Sequence, residues 1–322
     1  MGVMITVRQG VTRRNWPLLF LLVLVARGGG VVSALASAPP APKDLLIVGC
    51  GTLGALAGAA WRTEFPNALV VGETMTDTRH TYLAAAGIVP SLRDNRAQLL
   101  ASRSSGRFPY VLFCAAPRAS GDRYPDEVRD ALRECWLGET SPEIAGSNFV
   151  FTSSGGVFAE DNGGVVTEES AVSDTERARK LITAEKAVLA EGGSVVRLAG
   201  LYTATRGAHS YWLTQDEVGS NEDSIVNLLH YEDAAGVSIA ALLRGATGDA
   251  GERVYLACDD EPLSRSEICN AALASTMYAN AKGPVFKGTG GGMGKVYDTS
   301  TTRRRLGWQP KYPSFAKFMA TT

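Results

Sequence analysis

A six-residue segment that follows a short apolar run has the spacing of a phosphate-binding turn. It reads Gly49-Cys-Gly-Thr-Leu-Gly54, which is G-x-G-x-x-G. In such a turn the first glycine permits a tight bend, the second lets the backbone approach a pyrophosphate, and the third allows a helix to pack closely on a strand. The string alone is weak evidence in a chain with 35 glycines, but an apolar run precedes it and a helix rich in small residues follows. The segment therefore predicts a dinucleotide site.

The second feature of such a site is an acidic residue near the end of the next strand. Glu73 lies 19 residues past Gly54, where a carboxylate would bond the ribose hydroxyls of NAD and repel the 2′-phosphate of NADP. Arg79 is an alternative partner for that phosphate, or else a solvated helix residue. We expect NAD or NADP and favour NAD. The predicted cofactor-binding residues are Gly49, Gly51, Thr52, Leu53, Gly54, Glu73, Arg79 and Ala115.

The elements that must position these residues alternate between apolar runs and helical patterns. We predict strands at 45–48, 68–71, 110–114, 148–152 and 194–198, and helices near 53–61, 77–86, 126–137 and 175–190. This alternation predicts an α/β fold with a doubly wound parallel sheet, the Rossmann architecture. Capping boxes are predicted at Ser173 with Glu176 and at Ser264 with Glu267. Past residue 201 the alternation loosens, with one more strand at 253–257.

Five further motifs follow one another along the chain, and together they indicate a known family. Through them, residues 44–318 resemble the extended, atypical short-chain dehydrogenase/reductases of the NAD-dependent epimerase/dehydratase type. The resemblance implies a dinucleotide-binding part at 44–200 and a smaller C-terminal substrate lobe at 201–322, integral to the same domain. It also implies that Ser154 bonds the substrate. The segments are FVFTSSGGVF (149–158), RLAGLY (197–202), HYEDAA (230–235), CDDEP (258–262) and LGWQPKYPS (306–314).

The sequence departs from this family at its catalytic pair, Tyr-x-x-x-Lys. In that family an Ala-Glu follows the pair after two more residues, and here it is Ala184-Glu185. Counting back from it, the Tyr position holds Arg177 and the Lys position holds Leu181. Lys180 is one residue off, which rotates it by about 100° around the helix. The resemblance therefore implies an NAD(P)-binding oxidoreductase or epimerase-like enzyme for a small polar substrate, without the usual proton donor. A non-catalytic dinucleotide-binding protein, acting as a redox sensor or structural partner, is the alternative.

Other polar residues have more ordinary expected roles. We expect His230 to orient the start of its helix and Arg197 to bond backbone carbonyls. The loop that follows contains Tyr202, Arg206, His209 and Tyr211. They either supply a substitute acid or simply form a polar surface.

The N-terminal residues resemble a targeting segment. Residues 1–36 contain four arginines and no acid, and an apolar run at 18–26 precedes the A-x-A sequence at 34–36. The run is about half the length that spans a bilayer, so we expect no membrane span in the mature protein. We predict a targeting segment and linker at 1–43 that leads to a plastid. The secretory pathway and other organelles are alternatives.

Charge and cysteine content limit the partners. Without residues 1–36 the chain has 28 basic and 33 acidic residues, which is a net charge of −5. This charge argues against nucleic acid as a partner. Five cysteines at core-like positions favour a reducing compartment over a disulfide framework. No C-x-x-C or His-x-x-x-His pair predicts a metal site. We expect a small-molecule substrate as the partner, and a homodimer stays open.

Overall fold

A computed structural model describes residues 43–117, 121–138, 146–245, 248–288 and 291–322. The predicted targeting segment at 1–43 lies outside the described residues except for Lys43, and so stays a prediction.

Fifteen strands occur in the described part of the chain. The first seven are β1 (Leu45–Val48), β2 (Val70–Thr74), β3 (Val89–Leu92), β4 (Tyr110–Phe113), β5 (Asn148–Ser154), β6 (Asn162–Val166) and β7 (Ser194–Leu198). The others are β8 (Gly200–Tyr202), β9 (Glu217–Val218), β10 (Ile225–Val226), β11 (Leu228–His230), β12 (Val254–Ala257), β13 (Leu263–Ser264), β14 (Val285–Phe286) and β15 (Gly294–Tyr297).

Ten α-helices accompany them in the same described ranges. They are α1 (Thr52–Glu64), α2 (His80–Ala85), α3 (Arg96–Ala101), α4 (Tyr124–Cys135), α5 (Glu176–Ala190), α6 (Ala208–Trp212), α7 (Tyr231–Arg244), α8 (Arg265–Leu273), α9 (Ser300–Leu306) and α10 (Phe315–Met319).

A seven-stranded parallel sheet forms the centre of the fold, in the order β12-β7-β5-β4-β1-β2-β3. The apolar run of β1 is buried along its whole length, as expected for an inner parallel strand. Its last residue, Val48, is in register with Glu73 of β2 on one side and Phe113 of β4 on the other. The strand order reverses between β1 and β4, and the carboxyl ends of strands at such a point are where doubly wound folds bind ligands. The predicted doubly wound α/β fold is confirmed.

Helices cover both faces of the central sheet. On one face α1 packs against α7, and Trp61 and Ala57 of α1 belong to a core that includes Val237 of α7. On the other face α4 packs against α5, with Phe149 and Phe151 of β5 beneath them. Helix α1, which follows the glycine-rich turn, and helix α5 thus lie on opposite faces of one sheet.

The C-terminal half builds a second core and also contributes to the central sheet. Tyr202, Leu228, Ile268, Phe315 and Met319 are buried together in the second core. The edge strand of the central sheet, β12, comes from this half, while β6 pairs with β15 in a small four-stranded sheet. The two parts of the chain therefore exchange strands.

The structure tests the predicted helix starts. The capping box of Ser264 and Glu267 is confirmed at α8. The one predicted at Ser173 and Glu176 is wrong, because Thr175 caps α5 by accepting from the Ala178 amide, and Ser173 instead accepts from the Thr175 amide. His230 accepts from the Glu232 amide at the start of α7, as predicted.

None of the helices in the described residues is long and apolar enough to cross a membrane.

Candidate functional site

A cleft of about 630 Å³ opens at the carboxyl ends of β1 and β4. Its size is in the range of small-molecule sites. All the residues predicted for the cofactor except Gly54 line it, as do Ser154, Arg177 and Leu181. The remaining lining residues come from strand ends, from the loops that follow the strands and from the first residues of α4 and α7: Cys50, Thr74, Met75, Thr76, Arg93, Cys114, Ala116, Pro117, Tyr124, Thr152, Ser153, Leu198, Ala199, Leu201, Arg206 and Tyr231.

The surroundings of each glycine in the turn show what a side chain would meet there. Gly49 has a φ of +83°, and a Cβ there would lie 2.3 Å from the Cα of Ala115. A Cβ at Gly54 would lie 2.8 Å from the side chain of Ile47, so this glycine lets α1 pack on β1. A Cβ at Gly51 would meet only the Gly49 carbonyl oxygen, at 3.9 Å, so this backbone faces open space in the cleft. The tight bend at Gly49 and the close helix packing at Gly54 are as predicted, and the approach of a pyrophosphate to Gly51 stays a prediction.

The turn presents the amino end of α1 to the cleft. The Gly49 and Cys50 amides both donate to the Glu73 carbonyl, at 3.1 and 2.8 Å, which fixes the bend after β1. No side chain caps α1 at Gly51. The first amides of the helix, with its positive dipole end, therefore face the cleft and favour an anion there.

Arg206 reaches this helix end from the C-terminal half. Its Nη1 donates to Thr52 Oγ1 at 3.2 Å, and its guanidinium carbon lies 5.5 Å from the centre of the Tyr231 ring. The hairpin that carries Arg206 is anchored through the Ala204 carbonyl, which forms hydrogen bonds with His209 Nε2 and Tyr278 Oη. A rigid turn thus holds a guanidinium over the glycine-rich segment.

Other polar residues of that loop lie elsewhere. Tyr202 and His209 are buried, and Tyr211 is exposed. Among the four residues considered from the sequence, only Arg206 lines the cleft.

The carboxylate of Glu73 is engaged by arginines that the sequence analysis missed. Arg96 binds it through both arms of its guanidinium, at 2.7 and 2.8 Å, and Arg93 lies 3.4 Å away. Glu73 is only 1% exposed. Arg93 follows β3, the strand next to β2, and Pro90 in β3 disguises this strand in the sequence. Recognising β3 would have placed these arginines beside Glu73.

Arg79, in contrast, has no carboxylate partner in the described part of the chain. Its guanidinium carbon lies 5.1 Å from the centre of the Tyr82 ring, and it lines the cleft with Thr74 and Thr76. This end of the cleft thus carries an uncompensated positive charge.

The opposite end of the cleft is formed by the last residues of β5 and the first turns of α5. Ser154 Oγ accepts from the Gly156 amide at 3.1 Å, which leaves the hydroxyl proton available. Arg177 is exposed and Leu181 is 6% exposed, and both line the cleft, one helical turn apart. Lys180 points away, since its Nζ lies 2.7 Å from both Asp122 and Glu176. The structure therefore shows no lysine in the place of the family's catalytic one.

Behind this end lies a buried ion pair that the sequence analysis missed. Arg197 donates to Glu185 at 2.8 Å and to the Glu168 carbonyl at 3.0 Å, the latter as predicted. Ser153 also donates to Glu185. The signal for this pair in the sequence is an acid within the apolar face of α5 together with an arginine within the apolar run of β7.

The cysteines do not offer a nucleophile at this site. Cys50 and Cys114 line the cleft, but burial raises the pKa of the Cys50 thiol to about 12 and that of Cys114 further. Both therefore stay protonated at neutral pH. All five cysteines are free thiols. Within the described residues, no group of three His, Cys, Asp or Glu side chains is arranged for a metal ion.

Comparison with known proteins addresses the fold. No family model matches the chain, and no curated protein sequence does. A dTDP-glucose 4,6-dehydratase from Bacillus anthracis, in complex with NAD, superimposes with a TM-score of 0.68 at 14% identity, covering 87% of this chain and 94% of that one. The chain has the fold of the NAD-dependent epimerases and dehydratases.

Two other solved structures have the same fold. A UDP-glucuronic acid 4-epimerase from Bacillus cereus, in complex with NAD, has a TM-score of 0.67 at 14% identity, covering 86% of this chain and 94% of its own. A putative NAD-dependent epimerase/dehydratase from Methylobacillus flagellatus has a TM-score of 0.65 at 18% identity, covering 86% and 96%. The predicted resemblance to the extended short-chain dehydrogenase/reductases is confirmed at the level of the fold.

Proposed function

We propose that this protein binds a nicotinamide dinucleotide in the cleft and acts as an NAD(P)-dependent oxidoreductase or epimerase-like enzyme on a small polar substrate. The observation that carries the proposal is the geometry of the glycine-rich turn. Gly51 leaves its backbone open to the cleft beside the uncapped start of α1, as a pyrophosphate requires. Arg206, above Thr52, would bind the same pyrophosphate. The likeness to structures solved with NAD supports this assignment.

Within this proposal, NADP is the better candidate cofactor, which reverses the preference drawn from Glu73 in the sequence. Both oxygens of Glu73 bond to Arg96, so they are poorly placed to select for the ribose hydroxyls of NAD. Arg79 is a cation without a carboxylate partner in the described ranges, and lies with Thr74 and Thr76 at the end of β2. The Arg79 guanidinium and the Thr76 hydroxyl suit a 2′-phosphate. The Thr74 hydroxyl already donates to the Thr76 carbonyl, at 2.8 Å.

The proton for turnover would come from a group other than the missing pair. The cleft phenols are Tyr124 and Tyr231. The hydroxyl of Tyr124 donates to the Ala115 carbonyl at 2.9 Å, and burial raises its pKa. Tyr231 and water are therefore the candidates we propose.

Replacing Gly51 by valine tests the proposed function. The branched side chain would occupy the space of the pyrophosphate, so we expect the affinity for NADP and NAD to fall by about a hundredfold or more. Gly219→Val is the matched control, because a Cβ there meets nothing within 4 Å and Gly219 does not line the cleft. Calorimetric titration gives both affinities, with NADP bound more tightly by the wild type. Failure of the wild type to bind either dinucleotide at millimolar concentration would refute the proposal.

A further inference from the structure

The cations of α5 differ in whether they have carboxylate partners. Lys180 is paired with Asp122 and Glu176, and Arg179 Nη1 lies 3.6 Å from Asp174. Neither lines the cleft, and neither does Lys186, the remaining cation of the helix. Arg177 lines the cleft and has no carboxylate partner in the ranges the structure describes. The helix therefore leaves its one unpaired guanidinium at the reacting end of the site.

The side chains that line the whole cleft carry a net positive charge, as Arg177 does. Four arginines line it, at positions 79, 93, 177 and 206, and Glu73 is the only acid among the described lining residues. Glu73 is itself neutralised by Arg96, and Arg93 is paired with Glu127 at 3.0 Å. Arg79, Arg177 and Arg206 are the lining arginines without a carboxylate partner in the described residues. The chain as a whole carries a net charge of −1, so the positive charge is concentrated among the residues that line the cleft. Such a cleft attracts anions.

The chemistry of Arg177 differs from that of the tyrosine whose position it takes. A guanidinium stays protonated in proteins and so cannot deliver a proton as a phenol does. Its fork of N–H donors instead fits the two oxygens of a carboxylate or phosphate. One turn along, the apolar Leu181 offers no competing charge. This position is therefore suited to holding an anion.

A hydroxyl donor lies at the same end of the cleft. The hydroxyl of Ser153 is committed to Glu185, while that of Ser154 accepts from the Gly156 amide and keeps its proton free for a ligand oxygen. Helix α5 packs against the turn that follows Ser154, so the two side chains face one space.

We propose that the substrate carries an oxyanion, a carboxylate or a phosphate group, that Arg177 binds while Ser154 donates to a neighbouring carbonyl or hydroxyl oxygen of the same molecule. This inference rests on the proposed function, since it places the substrate beside the dinucleotide. The rival source of the oxyanion is a phosphate of the dinucleotide itself.

Anion titrations of the full protein saturated with NADP test the inference. The probes are malonate and inorganic phosphate, with neutral malonamide as the matched control ligand, and binding is followed by calorimetry. We expect the wild type to bind both anions but not malonamide. Arg177→Gln should weaken anion binding by about tenfold or more, because a charge-assisted bond is lost. Arg177→Lys should recover part of it, and Arg179→Gln, on the outer face of the same helix, should change nothing.

Dinucleotide affinity, measured on the same variants, separates the two sources. We expect it to stay within about twofold in Arg177→Gln. A loss as large as that for the anions would assign Arg177 to the cofactor and overturn the inference. Equal anion binding by wild type and Arg177→Gln, or none by the wild type, would overturn it too. Should the wild type bind no dinucleotide, the proposed function fails separately, and the same titration of the free protein still shows whether anion binding depends on Arg177.

Discussion

At the scale of single residues, Ser154 matches the substrate-bonding residue that the resemblance to the extended short-chain dehydrogenase/reductases implies. Its side chain lies in the cleft with a free hydroxyl proton. By the resemblance, the Tyr and Lys positions of that family hold Arg177 and Leu181 here. If the protein turns over a substrate, Ser154 must therefore bear more of the binding of the reacting oxygen than it does beside an intact pair.

Replacing Ser154 by alanine should lower kcat/KM by about a hundredfold, since a hydrogen bond that strengthens in the transition state is lost. Ser154→Thr keeps the hydroxyl and should retain most of the activity. The measurement is NADPH absorbance in a screen of small oxo compounds that bear a carboxylate or phosphate. Activity that survives Ser154→Ala unchanged would place the reacting oxygen elsewhere.

Residue roles were predictable where a backbone motif fixes them and not where a partner comes from far along the chain. Gly49, Gly51 and Gly54 each have the steric role that their spacing indicates. The ion pairs of Glu73 were not predictable, because its partners Arg93 and Arg96 follow a strand that the sequence hides. The ion pair could be found only once β3 was placed beside β2.

At the scale of elements, the pair Glu185–Arg197 joins α5 to β7 behind the reacting end. Glu185 is 2% exposed, and it also accepts from Ser153 of β5. Removing one partner of a buried pair leaves an uncompensated charge, which costs much more than the loss of a surface pair.

Glu185→Gln should therefore lower the free energy of unfolding by about 3 kcal/mol. Glu176→Gln, which removes an exposed partner of Lys180 on the same helix, should change it little. Urea denaturation of the three proteins gives the comparison. Similar stabilities for both variants would show that the buried pair does not hold α5 in place.

A second element-level feature is the buried carboxyl of Asp259, just after β12. It is 3% exposed, its Oδ1 accepts from the Glu261 amide at 3.2 Å, and its Oδ2 has no partner in the described structure. Burial raises the pKa of Asp259 from 3.8 to about 8. At neutral pH the folded protein thus holds a proton that the unfolded chain has released.

Stability should in consequence fall as pH rises from about 4 to about 8 and then level off, because the folded state binds the extra proton across that window. Asp259→Asn keeps the side chain neutral and should remove this contribution. The free energy of unfolding of the variant, relative to that of the wild type, should therefore increase by a few kcal/mol between about pH 5 and about pH 8. Urea denaturation at each pH measures it. A constant difference across the window would show that Asp259 titrates normally.

The elements themselves were predicted best where they are inner strands or long helices. The bounds of β1 and β7 match the structure, and α1, α4 and α5 differ by a few residues. The cap of α5 could not be predicted, because Ser173 and Thr175 are both good caps and only the fold of the preceding loop selects between them. The short strands β8 to β11 have too few residues to show a period.

At the scale of the whole molecule, the sheet order decides where the site lies. The reversal between β1 and β4 puts the glycine-rich turn, the end of β5 and the loop with Arg206 around one cleft. The α/β alternation predicted this placement in outline. The positive charge of the cleft could not be predicted, because its arginines are scattered over positions 79 to 206 and only the fold gathers them.

The most direct test of the account is a crystal structure of the protein grown with saturating NADP. We predict dinucleotide density in the cleft, with the pyrophosphate over Gly51 and Thr52, the 2′-phosphate beside Arg79 and the nicotinamide toward Ser154. An empty cleft at saturation, or a dinucleotide bound anywhere else, would contradict the central claim that this turn is a dinucleotide site.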